Sequence, residues 1–237
     1  MNLHGSKLPS KMQIMTDQKA VVLGATGLIG SQVVDELLKD DSFSIVKVLT
    51  RRSLSIIHPK LLQEIVDFTN IDEYTDKFGQ GDVIFCCVGT TQKNVKGDRL
   101  AYRKVDYDIP VNAAAIGISN NFKKFMIVSS VGADAGSSNF YLQLKGETEN
   151  ALKEFPFESI GIFQPSILLG NRAEVRAGEK VMQKLMKLFS RLLIGSLKKY
   201  RAIDSRDVAN AMVLESKQNN PGVHYRGYTE MMDLINT

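Results

Sequence analysis

Tyr141 and Lys145 stand four residues apart in YLQLK, so on a helix both side chains fall on one face. A phenol with an ordinary pKa near ~10 is a poor base at neutral pH. An ammonium one turn away favours the phenolate, and a nearby hydroxyl can hydrogen-bond a carbonyl or alcohol oxygen. Ser130 supplies such a hydroxyl at the end of the run FMIVSS, eleven residues before Tyr141. Together the three can move a proton while a nicotinamide moves a hydride. Alone, YxxxK is frequent by chance and more often marks an exposed helix pair than a catalytic one. Its place after a strand end and downstream of a glycine turn gives it weight.

That turn is GATGLIG, Gly24–Gly30, directly after an apolar run and opening a helical pattern. Gly24 suits a tight turn, Gly27 a close approach to a pyrophosphate, and Gly30 close packing of helix on strand. The helix N-terminus then offers free N–H groups to phosphates. The spacing is GxxGxxG rather than GxGxxG, a weak signal alone and a stronger one between strand and helix. The next strand ends in VLTRR, placing Arg51 and Arg52 where an NAD-binding protein usually offers a carboxylate to the ribose. Guanidinium groups suit a 2′-phosphate, so NADP(H) is expected over NAD(H). Asp67 and Phe68 end a weaker strand from which they could address adenine, although Asp67 serves equally well as a loop-capping residue.

Five nearly continuous apolar runs alternate with helical patterns: residues 20–24, 43–50, 82–89, 125–130 and 157–164. Helices are expected over 28–39, 71–78, 99–119 and 140–154, and 62–68 is a sixth candidate strand. Apolar strands buried on both faces imply a parallel sheet, and the alternation implies a doubly wound α/β fold of the Rossmann type. The expected organisation is an N-terminal arm over residues 1–17 and one domain over 18–237. Within that domain, roughly 170–205 and 221–237 contribute a small C-terminal substrate lobe. Residues 179–194 read as an amphipathic helix with Lys180, Lys184, Lys187 and Arg191 along one side. Packing on its own domain outweighs a membrane-surface reading.

Composition narrows the class. Thirty basic against 26 acidic residues leave a net charge of +4, spread along the chain, which argues against a nucleic-acid partner. No apolar run reaches the ~18 residues of a membrane span. Cys86 and Cys87 are adjacent in an apolar run, so they read as reduced core residues of a cytoplasmic protein. His4, His58 and His224 fall into no metal-binding spacing.

GATGLIG, VGTT at Val88–Thr91, Ser129–Ser130 and YLQLK, in this order, resemble the short-chain dehydrogenase/reductase superfamily. FCCVGTT, RKVDYD, SSVGADAGSSNFYLQLKGETE and FQPSILLGNR are similar to its atypical group, that of the HIV Tat-interactive protein 2 oxidoreductases. The resemblance runs from about Lys19 to Leu214. It implies that Gly24, Thr26, Gly27, Leu28 and Ile29 line the pyrophosphate, and that Arg51 and Arg52 hold the 2′-phosphate. Asp67 and Phe68 would border adenine, and Val88, Gly89 and Thr90 would pass the ribose. Tyr141 would be the acid/base and Ser130 would orient the substrate oxygen. Lys145 would tune Tyr141 and hold the nicotinamide ribose, while Pro165, Ser166 and Ile167 would back the nicotinamide. Two positions depart from the pattern. The helix asparagine of the superfamily's proton relay falls on Asp106, and Gln164 replaces an arginine frequent in extended members.

The leading expectation is an NADPH-dependent oxidoreductase acting on a small or medium carbonyl compound. The alternative is a non-catalytic NADPH-binding sensor that engages a protein partner. Nucleotide-sugar epimerase or dehydratase chemistry is a weaker third, disfavoured by Gln164 and the short lobe. A homodimer is left open.

Overall fold

The computed structural model describes residues 17–91, 94–170, 193 and 195–237. The strands are β1 Gln18–Leu23, β2 Phe43–Thr50, β3 Leu61–Ile65, β4 Val83–Cys86, β5 Lys124–Val128, β6 Ser159–Phe163, β7 Leu168–Leu169, β8 Ile203–Asp204 and β9 Gly222–Arg226. The helices are α1 Leu28–Lys39, α2 Ile71–Phe78, α3 Arg99–Arg103, α4 Ile109–Ser119, α5 Phe140–Lys153, α6 Ser205–Lys217 and α7 Tyr228–Asn236, with a π-helical turn Lys104–Asp108 joining α3 to α4.

Seven strands form one sheet in the order β3-β2-β1-β4-β5-β6-β9, every neighbouring pair parallel. Residues alternate across it, so Val21 and Val22 belong to different cores. On one face Val33, Val34 and Leu37 of α1 pack with Val208 and Met212 of α6 and Met231 of α7. On the other, Tyr74 and Phe78 of α2 meet Ala113 and Ile116 of α4 and Leu152 of α5. The expected doubly wound α/β fold is the fold observed. The chain leaves β1 outward to β2 and β3, then returns to β4 on the other side of β1. Ligands of open α/β sheets bind at such a switch point, beyond the carboxyl ends of the strands.

Three expectations change. The sequence pattern places residues 221–237 in the lobe, but β9 continues the main sheet beside β6, and α7 packs on the core with α1 and α6. Its alternation is weak because an edge strand has one unpaired side, and its burial pattern is largely exposed. The run 82–89 narrows to β4 because pairing stops at Cys86, which frees Cys87–Gly89 to turn over the strand ends. The helix expected over 99–119 is interrupted by the π-turn. The arm, Asp17 excepted, and the helix expected over 179–194, Leu193 excepted, lie outside the described residues.

Candidate active site

The glycine turn sits at the switch point. Gly24 adopts a φ of 81°, a left-handed conformation that a side chain strains. A Cβ there would also lie 2.5 Å from the Cys87 carbonyl oxygen, so the turn after β1 lies directly against the segment leaving β4. A Cβ on Gly30 would come within 2.1 Å of the Gly24 carbonyl oxygen, which lets α1 start immediately above the turn. Asn70, Asp98, Asn139 and Asp204 cap α2, α3, α5 and α6 with their side chains. By contrast, α1 opens at Gly27 with no side-chain cap and no acidic residue in its first turn. Its first N–H groups and partial positive charge are therefore left for an anion.

Beside the turn is a cavity of about 390 Å³. Gly24, Thr26, Gly27, Arg51, Asp67, Phe68, Val88 and Gly89 line it, bringing together residues from the ends of four strands. Arg51 is exposed and has no carboxylate partner among the described residues. Asp67 takes the loop-capping role as well: its Oδ1 accepts from the Thr69 N–H at 2.9 Å and the Thr69 hydroxyl at 2.7 Å. These bonds hold its carboxyl below the usual range. Phe68 is fixed edge-on to Tyr74, ring centroids 4.9 Å apart.

Farther along the strand ends is the second part of the site. Asn139 caps α5 by accepting from the Tyr141 and Leu142 N–H groups, which sets Tyr141 in the first turn. One turn later Lys145 is 6% exposed, and its Nζ forms an ion pair with Asp106 Oδ1 at 3.0 Å. Burial works against the ammonium, but Asp106 and then Tyr141 more than offset it, so the Lys145 pKa is raised. Half-buried Ser130 donates to the Val131 carbonyl at a long 3.4 Å. Behind it, the Ser129 hydroxyl donates to Glu149, whose carboxylate also accepts from Gln164 Nε2 at 2.9 and 3.2 Å. Burial raises the Glu149 pKa against those hydrogen bonds.

Residues 24–158 match a family described as NAD(P)H-binding. The chain belongs to this NAD(P)H-binding family. Over 173 residues it is 37% identical to the protein HTATIP2 of Rattus norvegicus, an alignment spanning 72% of this chain and 71% of the relative. The resemblance to that group therefore holds. It is also 29% identical to the mitochondrial protein FMP52 of Candida glabrata, over 93% of this chain and 97% of the relative. Among solved structures, a UDP-N-acetylglucosamine 4-epimerase from Methanobrevibacter ruminantium superposes with a TM-score of 0.67 at 18% identity, covering 90% of this chain and 77% of the epimerase. The Bordetella bronchiseptica enzyme WbmH in complex with NAD+ gives 0.65 at 14%, covering 89% and 75%. At these identities the likeness is one of fold.

The family comparison overturns the cytoplasmic assignment. FMP52 proteins of Candida glabrata, Candida albicans and Kluyveromyces lactis are mitochondrial, and unpaired cysteines distinguish reducing from oxidising surroundings without naming a compartment. Cys86 is buried, and burial pushes its thiol up to about 11, away from thiolate chemistry.

The remaining candidates fall elsewhere in the family's fold. Ile29 is buried in the core, so its side chain does not face the cavity. Leu28, Arg52 and Thr90 also lie outside the lining. The Thr90 N–H is bound to Asp106 and its carbonyl to the Tyr102 hydroxyl. Pro165, Ser166 and Ile167 form the link from β6 to β7, with the Pro165 carbonyl bonded to the Val131 N–H and the Ser166 hydroxyl to the Arg201 carbonyl. Sequence reasoning missed Lys104, Asp108 and Asn112, which line the cavity. They recur every fourth residue, and Asn112 is a lone polar residue in IPVNAAAIGI. That polar stripe on an apolar helix was the available signal. Among the described residues no helix is long and apolar enough to cross a membrane, and no three metal-ligating side chains are grouped.

Proposed function

We propose that this protein is an NADPH-dependent reductase of small or medium carbonyl compounds. The observation that carries the reading is the buried, charged Lys145 one helical turn from Tyr141, outside the cavity lining but joined through Asp106 to the Val88–Thr90 segment whose first two residues line it. The cofactor fits what is present: an uncapped helix start, a turn strained for any residue but glycine, and the exposed guanidinium of Arg51, which has no carboxylate partner among the described residues. Gly24, Thr26 and Gly27 would hold its pyrophosphate and Arg51 its 2′-phosphate, with Asp67 and Phe68 along the adenine. When bound, NADPH supplies the hydride that the carbonyl carbon accepts. Lys145 would hold the nicotinamide ribose through its ammonium. Ser130 would hydrogen-bond the carbonyl oxygen, and Tyr141 would deliver its hydroxyl proton to that oxygen as charge develops there. Solvent then reprotonates Tyr141, so one hydride and one proton convert the carbonyl to an alcohol.

Gln164 supports a small substrate over a nucleotide sugar. Its amide is turned inward onto Glu149 rather than held free for a diphosphate.

Tyr141→Phe tests the reading. Phenylalanine keeps the ring and removes the donor, so turnover of any aldehyde, ketone or quinone should vanish while NADPH affinity stays within a few-fold. Turnover surviving in Tyr141→Phe would refute the acid/base assignment. A wild type that binds NADPH and reduces nothing across the panel would return the sensor reading.

A further inference from the structure

Asp106 reaches the interior because the helix widens at its position. The π-turn Lys104–Asp108 carries it inward until the residue is 1% exposed. Such turns are rare and recur at functional sites. The carboxylate is engaged from two directions. Oδ2 accepts from the Thr90 N–H at 2.8 Å, and Oδ1 lies 3.0 Å from Lys145 Nζ. Its own carbonyl is occupied too, accepting from the Thr148 hydroxyl at 3.1 Å. Oδ1 is closed off from solvent, so a ligand cannot touch it. Any influence of Asp106 on a bound cofactor must pass through Lys145 or through the loop that begins at Val88.

We propose that Asp106 is a positioning residue, which ties the Lys145 ammonium to the Val88–Thr90 loop and preserves the positive charge that the cofactor ribose meets at Lys145. This rests on the cofactor-binding reading above and assigns the departure from asparagine a purpose. Asparagine in the same place offers an acceptor to Thr90 but no charge to a buried lysine. Among the described residues, four ionisable groups face Lys145: Asp106 from the π-turn, Cys86 from β4, and Tyr141 and Glu149 from α5. Cys86 is a protonated thiol, and Glu149 is raised by its own burial. Asp106 is the foremost of the groups opposing the burial of Lys145. Without its charge, burial would be opposed only by the lesser influences of Tyr141 and Cys86 and would drive the lysine toward the neutral amine.

The test uses Asp106→Asn, which keeps the Thr90 acceptor and deletes the charge. Nζ titration by NMR on lysine-labelled protein requires neither cofactor nor substrate. In the wild type, Lys145 should titrate above the exposed lysines. In Asp106→Asn its midpoint should fall by about one pH unit or more, a tenfold change in its ionisation constant. Calorimetric titration with NADPH supplies the second readout. Wild-type affinity should be level between about pH 7 and 9.5, whereas the variant should lose about twofold or more by the alkaline end of that range as its lysine gives up the proton. Should Asp106→Asn fail to fold, Asp106→Ser carries the same expectation. A wild-type Lys145 that titrates below the exposed lysines overturns the proposal without any variant, as does an unchanged midpoint in Asp106→Asn. A wild type that binds no NADPH defeats the cofactor reading instead, and the lysine midpoint still decides the role of Asp106.

Discussion

The two ends of the site are made of different materials. The cavity end is backbone and surface: a glycine turn against the Cys87 carbonyl, an uncapped helix start and an exposed arginine. The Lys145 end is buried charge, a lysine and an aspartate both under 10% exposed and held between the π-turn and α5. The first depends on residues that have no side chain to interfere. The second depends on two side chains that each make the other tolerable. Damage should therefore take different forms: steric at the cavity end, electrostatic and pH-dependent at the Lys145 end.

The largest effect should follow from Gly30→Ala. The added methyl meets the Gly24 carbonyl oxygen at 2.1 Å, and both atoms belong to packed backbone. Loss of about 3 kcal/mol or more is expected, read as a fall in the denaturation midpoint and in soluble yield. Gly27→Ala should separate binding from folding. Its Cβ would sit 3.1 Å from the same oxygen, a contact that small shifts relieve, so NADPH affinity should fall further than stability. Equal tolerance of alanine at both positions would break the backbone account of this end.

Lys145→Met should come next, at about 3 kcal/mol, because it leaves the Asp106 charge buried without a partner. Adding Asp106→Asn should recover much of that loss, since removing both charges removes the reason for either. The sign with pH follows from the raised lysine pKa. A folded-state pKa above the unfolded value stabilises fully below the unfolded value, near ~10.4, and is lost as pH rises through the folded one. The wild type should thus keep its advantage over Lys145→Met across the neutral range and surrender it only in strong alkali. Chemical denaturation of the three proteins at several pH values decides this. An additive double variant would mean the pair is not coupled.

Arg51 and Arg52 sharpen the cavity end. Only Arg51 lines the cavity, while Thr50 Oγ1 donates to the Arg52 carbonyl and fixes that residue's backbone in the loop. Arg51→Ala should weaken NADPH binding about tenfold and leave NADH nearly unchanged, with Arg52→Ala costing less than about twofold. Calorimetry with both cofactors separates the two. Equal losses in the two variants would restore the symmetrical role that the sequence suggests.

These contrasts follow how each end is written in the chain. Gly24, Gly27 and Gly30 are local, so a turn spanning seven residues can be read from spacing, and the alternation of apolar strands gives the parallel sheet. Lys104, Asp108 and Asn112 were legible in principle, as a polar stripe every fourth residue. The Asp106–Lys145 pair was not, because it joins residues 39 positions apart and depends on a π-turn that no propensity announces. Ser129, Glu149 and Gln164 meet for the same tertiary reason, from β5's end, α5 and β6's end. A late strand around His224 was legible, but its place in the main sheet was not, since an edge strand has little need for the continuous apolar run that marks the others.

Glu149 offers the smallest and most selective probe of the buried end. It lies one turn beyond Lys145 on α5, yet its hydrogen-bond partners are the neutral Ser129 and Gln164. Burial raises its pKa, ahead of the lowering by those hydrogen bonds. The folded protein therefore holds this proton more tightly than the unfolded chain does. Stability is fully present while both states are protonated and declines as pH rises from about 4.5 through the folded value. Glu149→Gln removes the titration at the expense of one acceptor, because its amide nitrogen must replace an oxygen facing Ser129 or Gln164. The expected result is a slightly lower midpoint at acid pH, with a flatter decline toward neutrality, so that the curves of wild type and variant converge as pH rises. Thermal denaturation from about pH 4 to 7 measures that convergence. Parallel curves would show that Glu149 gains as much from its partners as it loses by burial. The Lys145 end would then contain a single unusual ionisation, that of the lysine.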